Sequence, residues 1–157
     1  VYIPLALTAN RQGRVAGANL CGVQERFPGV LGTAVTKVFD YVIARTGLDQ
    51  ATAEKAGIPV AVVEAKAPNK AHYYAGHRPV WIQLLYHAET HKVLGALLAG
   101  QDPSLGKRAD IIATALSAGL DVVELSDLDL AYAPPFAPVW DPILQAANKA
   151  RFRVLAA

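Results

Sequence analysis

The chain has 157 residues, of which 53% are apolar and 18% are charged, and its formal net charge is +2. A chain this apolar and this weakly charged is not intrinsically disordered, and its evenly spread charges exclude a dedicated nucleic-acid surface or a polybasic membrane patch. Its length accommodates one domain and part of a second.

Cysteine usage and hydropathy narrow the class further. Cys21 is the only cysteine, so neither an internal disulfide nor a CxxC pair can form, which predicts a cytoplasmic protein. The longest apolar run, residues 93–99, is much shorter than the roughly 20 residues that span a bilayer, so we expect no membrane partner. The apolar excess predicts a surface buried against a second subunit. The lack of methionine, even at position 1, predicts that the chain was processed or cut from a longer one.

The first predicted element is a helix over residues 8–22, where apolar and small side chains recur at helical spacing. Gly13 and Gly17 weaken this helix but let another backbone approach it closely, so we expect it to pack against structure that the remaining chain does not supply. Cys21, near the end of this helix, is predicted to be a small buried residue. A connection rich in glycine and proline follows, over residues 22–32.

The middle of the chain has the composition of a sheet. Residues 36–46 are β-branched and aromatic and are predicted to form one strand. Asp49 is predicted to cap a short helix over residues 50–56. Three further strands are predicted, over residues 60–66, 80–87 and 93–99. The short join between the last two favours an antiparallel hairpin.

Proline marks the starts of the two remaining long helices. Asp102 with Pro103, and Asp141 with Pro142, are each predicted to form an N-cap followed by the first helical residue. A turn capped by Ser126 and a proline-rich bend are predicted between these helices. Because strands cluster first and helices follow, we predict an α+β fold, an antiparallel sheet with helices packed on it.

Common cofactor motifs are absent from the sequence. Residues 100–108 have the position of a phosphate-binding loop but not its GxxxxGK spacing, and Pro103 lacks a backbone donor that such a loop needs. The other glycines do not form GxGxxG. His87 and His91 have no further ligand at metal-binding spacing, so we predict solvated histidines and no metal site.

Two segments carry side chains suited to ligand binding. HYYAGHRP occupies residues 72–79, and YAPPF occupies residues 132–136. Their candidate side chains are His72, Tyr73, Tyr74, Arg78 and Tyr132. A phenol donates a hydrogen bond and a guanidinium binds phosphate oxygens, whereas aromatic side chains on stiff loops also serve as core contacts. From the residues alone, both readings stay open.

Five strings resemble the C-terminal part of the pyridine-nucleotide disulfide oxidoreductases, in the branch with coenzyme A disulfide reductase and NADH oxidase. They are, in chain order, IPLALTANRQGRVAGANLCG, FPGVLGTAVTKVFDYVIARTGL, HYYAGHRP, GALLAGQDPSLGKRADIIATAL and LDLAYAPPFAPVWDPILQAAN. The resemblance implies a homodimeric enzyme that uses FAD and NAD(P)H to reduce coenzyme A disulfide, a related disulfide or polysulfide, or oxygen. It also implies the remnant of an FAD-binding domain over residues 1–28 and a dimerisation domain over residues 29–157, with no cofactor bound and no turnover by this chain alone.

The resemblance further implies roles for individual residues. Pro4, Leu5 and Ala6 match the family segment that lies at the flavin ring, where a helix N-terminus favours the negative charge of a reduced flavin. Tyrosines of the two segments would reach the partner subunit's active site. We assign the catalytic role to Tyr74 and Tyr132, and substrate binding to Tyr73, His72 and Arg78. The alternative is a freestanding dimerisation or binding module without redox activity.

Overall fold

The fold is one antiparallel sheet with helices packed on it. A computed structural model describes residues 3–156. Its elements in chain order are helix α1 (Ala6–Leu20), strands β1 (Ala34–Val38) and β2 (Tyr41–Gly47), helix α2 (Gln50–Lys55), strands β3 (Val60–Pro68), β4 (Pro79–His87) and β5 (Val93–Gly100), and helices α3 (Leu105–Ala118), α4 (Val122–Ser126) and α5 (Pro142–Leu155). The strands pair antiparallel in the order β1-β2-β5-β4-β3. The predicted α+β fold and the β4–β5 hairpin are therefore confirmed.

The hydrophobic core lies between the sheet and the helices α3 and α5. Side chains alternate between the two sides of each strand, so every second residue faces the helices. Ile82, Leu84 and Leu98 from the sheet are fully buried together with Ile112 of α3 and Ile143 of α5. On the opposite side of the sheet, Leu85 is buried near the start of α2, whereas Ile43, Trp81 and Leu97 are exposed.

Strand β3 is an edge of the sheet, and α5 blocks part of that edge. Lys149 Nζ donates to the carbonyl of Glu64 at 2.9 Å, and Arg153 Nη1 donates to the carbonyl of Val62 at 2.8 Å. Unpaired edge carbonyls are open to pairing with another strand. The two basic side chains therefore protect this edge from strand addition.

The strand predicted over residues 36–46 is wrong, because this stretch is a hairpin. Val38 and Tyr41 form the last pair of β1 and β2, and Phe39 and Asp40 make the turn between them. Phe39 takes a φ of 51°. Hairpin turns of two residues usually contain glycine or asparagine at such positions, and this turn contains neither. The alternation of side chains along residues 36–46 therefore continues through the turn and hides it in the sequence.

Two predicted caps also differ from the structure. Helix α3 begins at Leu105 rather than at Pro103, because Asp102 Oδ1 accepts from the Ser104 amide at 2.9 Å and forms a turn before the helix. Ser126 is the last residue of α4 rather than its cap. The cap of α4 is Asp121, which forms a reciprocal capping box with Glu124. Asp49 and Asp141 cap α2 and α5 as predicted.

Helix α1 makes few contacts with the rest of the chain. Thr8 is its one buried residue among the fifteen of the helix. Cys21, predicted to be buried, is exposed, because α1 has no apolar layer against which its C-terminal end can pack. The expectation that this helix packs on structure outside the remaining chain stays a prediction.

Candidate functional site

The first candidate segment is a loop between β3 and β4, residues 69–78, which we call the tyrosine loop. Asn69 closes its base, because the Asn69 amide donates to the Arg78 carbonyl at 2.9 Å and Asn69 Oδ1 accepts from the Arg78 amide at 2.7 Å. Within the loop the Tyr74 amide donates to the carbonyl of Ala71 at 2.8 Å. The tyrosines therefore sit on a tight turn with a pinned base.

The second candidate segment, residues 132–140, we call the proline elbow. The Ala137 amide donates to the Ala133 carbonyl at 3.1 Å, and the side chain of Ala137 is buried. The carbonyl of Pro134 accepts from the Ala71 amide of the tyrosine loop at 3.2 Å. This bond joins two segments that lie about sixty residues apart in the sequence.

The Ala71–Pro134 bond brings Tyr132 of the proline elbow near Tyr73 of the tyrosine loop, since each tyrosine lies two residues from a bonded residue. Both rings are exposed, to 47% and 69%. The ring of His72 meets the Tyr73 ring edge-on, with centroids 5.5 Å apart. Lost hydration and the neighbouring Tyr73 phenol raise the pKa of Tyr132 above its ordinary value. Tyr132 therefore stays protonated, and able to donate a hydrogen bond, throughout the neutral range.

The other predicted side chains of the tyrosine loop are exposed beside this pair. Lys70 Nζ lies 5.5 Å from the centroid of the Tyr74 ring, a cation–π arrangement. Arg78 Nη1 donates to the carbonyl of its neighbour His77 at 3.0 Å. These cations leave the rim of the loop positively charged, which suits a ligand that carries phosphates.

Beneath both segments lies a buried arginine that the sequence analysis missed. The side chain of Arg108 is 6% exposed. Its Nε donates to Asp141 Oδ2 at 2.9 Å, its Nη2 donates to the Asn69 carbonyl at 2.9 Å, and its Nη1 donates to Ser104 Oγ. Nη1 also lies 3.6 Å from Asp102 Oδ2.

The position of Arg108 on the apolar face of α3 is the sequence feature that could have predicted its burial. Leu105, Ala109 and Ile112 are buried on the same face of α3. An arginine on an apolar face is rarely buried unless it is paired. Arg108 is also the last residue of segment 100–108, whose likeness to a phosphate-binding loop does not indicate a buried side chain.

The predicted flavin-facing residues border a separate groove at the start of α1. Leu5 is the N-cap residue of α1; its side chain gives no capping hydrogen bond, and the first turn holds no acidic residue. Pro4 and Ala6 are exposed beside it. The groove has a volume of about 870 Å³ and is lined by the start of α1, by residues 28–35 and by one face of α3. A helix start without a carboxylate cap suits an electron-rich ligand group.

The predictions about metals and membranes concern the remaining surface. Across residues 3–156 no three histidine, cysteine or acidic side chains cluster as a metal ion would need. His87 Nδ1 accepts from the amides of Glu89 and Thr90, each at 3.2 Å, so this histidine stabilises its own turn. In the same part of the chain, no helix has the length and apolar character required to cross a membrane.

Comparison with known proteins identifies relatives across almost the whole chain. The chain is 44% identical over 152 residues to the NAD(P)H coenzyme A polysulfide/persulfide reductase of Pyrococcus horikoshii, which covers 97% of this chain and 34% of that protein. An NAD-dependent persulfide reductase from A. fulgidus superposes with a TM-score of 0.94 at 38% identity, over 99% of this chain and 29% of that one. The reduced CoADR-RHD of Bacillus anthracis gives a TM-score of 0.91 at 40% identity, over 99% of this chain and 28% of that one.

The match to these relatives is limited to one part of them. The chain spans about a third of the length of the Pyrococcus reductase, at 34%, and corresponds to its C-terminal part. Residues 33–142 match the family described as the pyridine nucleotide-disulphide oxidoreductase dimerisation domain. That range contains all five strands, the tyrosine loop and the whole proline elbow. The chain therefore belongs to the dimerisation-domain family of the pyridine nucleotide-disulphide oxidoreductases.

Proposed function

We propose that this chain is the C-terminal dimerisation portion of an FAD-dependent NAD(P)H oxidoreductase that reduces coenzyme A persulfides, polysulfides or disulfides. The observation that carries the proposal is the 44% identity, across 97% of the chain, to a coenzyme A polysulfide/persulfide reductase. In this proposal residues 1–28 complete an FAD-binding domain, and residues 29–157 form the dimerisation domain. The enzyme is cytoplasmic, in keeping with a single cysteine in the chain.

The paired phenols suit the reduction of a sulfur–sulfur bond. Cleavage of that bond leaves a thiolate, and a nearby phenol stabilises the sulfur anion by donating a hydrogen bond. The raised pKa of Tyr132 keeps the proton on its Oη at neutral pH, so Tyr132 serves as this donor rather than as a base. Tyr74 stays a predicted catalytic residue beside Tyr132, and Tyr73, His72 and Arg78 are proposed to bind the coenzyme A portion of the substrate.

The start of α1 is the part of this chain that fits a flavin. Pro4, Leu5 and Ala6 would lie against the ring, and the uncapped helix start would favour its electron-rich edge. The flavin would supply the transfer of electrons from NAD(P)H to the sulfur acceptor. The chain contributes one side of this pocket, so we expect it to retain no flavin when isolated.

Homodimer formation is the second part of the proposal. Ala99 of β5 pairs with Ile43 on one side and with Trp81 on the other, and both of these apolar side chains are more than a third exposed, at 38% and 39%. Leu97 extends the same patch to a second row and is 44% exposed. Contiguous apolar patches of this kind are unusual on monomers. Light scattering of the chain at micromolar concentration tests this part, since a monomer would contradict it.

The experiment on the chemistry is Tyr132→Phe in the flavoenzyme that contains this chain. We expect disulfide-reductase turnover to fall on the order of 100-fold, because one donor to the developing thiolate is lost. Flavin content should not change. Tyr41→Phe, at an exposed tyrosine of β2, is the matched control and should keep normal turnover. Wild-type turnover in the Tyr132→Phe enzyme would remove this residue from the mechanism.

A further inference from the structure

The guanidinium of Arg108 joins three segments that are distant in the sequence. Nε donates to Asp141 at the start of α5, Nη1 donates to Ser104 before α3, and Nη2 donates to the carbonyl of Asn69 at the base of the tyrosine loop. Each nitrogen thus serves a different segment. Every buried polar side-chain atom in the described residues has a hydrogen-bond partner. A shift of any of the three segments would therefore leave a buried polar atom without its partner.

On the loop side, Asn69 passes this constraint to both ends of the tyrosine loop. Its backbone carbonyl accepts from Arg108, while its amide and its Oδ1 are bonded to Arg78 at the other end of the loop, at 2.9 and 2.7 Å. Its Nδ2 donates to Asp102 Oδ2 at 2.6 Å. The side chain of Asn69 is buried, and its donor and acceptor are both engaged. The base of the loop therefore has one position relative to Arg108.

On the elbow side, Asp141 sets where the proline elbow ends. Its Oδ1 accepts from the Ile143 amide at 3.0 Å as the cap of α5, and its Oδ2 accepts from Arg108. The elbow is thus held at its last residues by Asp141 and at Pro134 by the bond from Ala71 of the tyrosine loop. The guanidinium of Arg108 therefore fixes the positions of both segments that carry the phenols.

The chemistry of this site requires arginine. The planar guanidinium of arginine holds three nitrogen donors in fixed directions, one toward each segment. The ammonium of a lysine is a single charged group and could hydrogen-bond well to only one segment. Burying an arginine beside two carboxylates is costly unless each group has further partners, and here the amides of Ser104 and Ile143 supply them. We therefore interpret the arrangement as fixing the relative positions of the three segments rather than as only stabilising the fold.

We propose that Arg108, acting through Asn69 and Asp141, is a positioning residue that holds the tyrosine loop and the proline elbow at the separation that places the Tyr73 and Tyr132 phenols side by side. Only the expected effect of Arg108 on catalysis rests on the proposed function. The placement of the phenols is a property of the chain itself.

The test on the chain follows the ionisation of Tyr132 by NMR, with tyrosine labelled at Cζ and the Tyr132 signal assigned by Tyr132→Phe. Arg108→Lys should lower the ionisation midpoint of Tyr132 in the direction that Tyr73→Phe lowers it, because the two phenols separate. Asn69→Ala should do the same while it leaves the Arg108 guanidinium intact, and it decides the matter if Arg108→Lys does not fold. An unchanged midpoint in a folded variant overturns the inference.

The control is Arg151→Lys on α5. Arg151 also bridges a serine and an aspartate, Ser126 at 3.0 Å and Asp127, but these partners lie at the end of α4 and not beneath the phenols. Its loss should leave the Tyr132 midpoint in place. A shift of equal size in Arg151→Lys would show that the midpoint reports general loosening and would overturn the inference.

The second arm uses the flavoenzyme. Arg108→Lys should lower kcat for disulfide reduction by about 10-fold to 100-fold, since small misplacements of reacting groups have effects of that size, while reduction of the flavin by NAD(P)H keeps its rate. A shifted Tyr132 midpoint with normal kcat supports the positioning role and overturns the proposed role of the phenols in the reaction. The two proposals therefore fail in distinguishable ways.

Discussion

Helices α1 and α5 have nearly equal lengths, 15 and 14 residues, but they are held in opposite ways. Helix α5 buries six side chains, and Asp141 caps its first turn. Helix α1 buries Thr8 alone, and Leu5 gives it no side-chain cap. Both helices have mixed polar and apolar sequences, so composition does not explain the contrast.

The contrast shows which parts of the chain are self-sufficient. An isolated helix of about 15 residues is marginal in water, and most helix stability in proteins comes from packing of an apolar face. Helix α5 has that packing within this chain. Helix α1 has little of it, which agrees with the proposal that residues 1–28 complete a neighbouring FAD-binding domain.

The largest predicted difference comes from shortening one apolar side chain in each helix. Ile143→Ala in α5 should reduce the free energy of unfolding by about 2–5 kcal/mol, because Ile143 is fully buried and a cavity remains. Val15→Ala in α1 should change it by no more than about 0.5 kcal/mol. Urea unfolding followed by the fluorescence of Trp81 and Trp140 measures both. Equal losses in the two variants would contradict the idea that α1 lies outside the core.

The sequence predicted the parts of the fold that depend on local chemistry. Asp49 marks the start of α2, and Asp141 with Pro142 marks the start of α5, because caps act through neighbouring amides. The β4–β5 hairpin followed from two apolar runs with a short join. Residue types alone identified the tyrosine loop and the proline elbow as candidate segments, and the resemblance to the oxidoreductase family then assigned roles to their side chains.

The rest depended on contacts between distant residues. The Phe39 turn has no glycine to announce it, so one strand was predicted where the structure has two. The Arg108 partners Asn69 and Asp141 lie 39 and 33 residues away, and no local pattern relates them. Tyr73 and Tyr132 were each identified, but their placement near each other depends on the bond between Ala71 and Pro134. Pairing of this kind requires the folded chain.

A smaller effect, with opposite signs in two contexts, comes from the glycines of α1. A Cβ added at Gly13 or Gly17 meets nothing within 4 Å in this chain. Gly13→Ala and Gly17→Ala should each stabilise α1 here by about 0.5–1 kcal/mol, measured as slower hydrogen exchange of its amides. In the flavoenzyme the same substitutions should destabilise the protein, because the proposed FAD-binding domain approaches these glycines closely.

The matched control for these glycines is Gly95 in β5. A Cβ at this position would lie 2.1 Å from the carbonyl oxygen of Leu48, so Gly95→Ala should destabilise the chain in both contexts. Stabilisation of α1 by Gly13→Ala in the flavoenzyme as well would contradict packing of that helix face against a neighbouring domain.

The smallest predicted effect is a pH dependence that separates the capped helices from α1. Asp49 Oδ1 accepts from the Thr52 amide at 2.7 Å, and this hydrogen bonding, aided by the charge of Arg45, lowers the pKa of Asp49 below its ordinary value. A carboxyl group with a lowered pKa in the folded state stabilises that state above its ordinary pKa, and this contribution is lost as the pH falls through the lowered value. The Thr52 amide shift in NMR should therefore titrate with a midpoint below that of an unperturbed aspartate.

Asp49→Asn, which keeps an acceptor without a charge, should abolish the titration. The amides of Ala6 and Leu7 should not titrate in this range, because the first turn of α1 has no acidic residue. A titration that persists in Asp49→Asn, or one that appears at the start of α1, would mean that the two helix starts do not differ in the way their caps indicate.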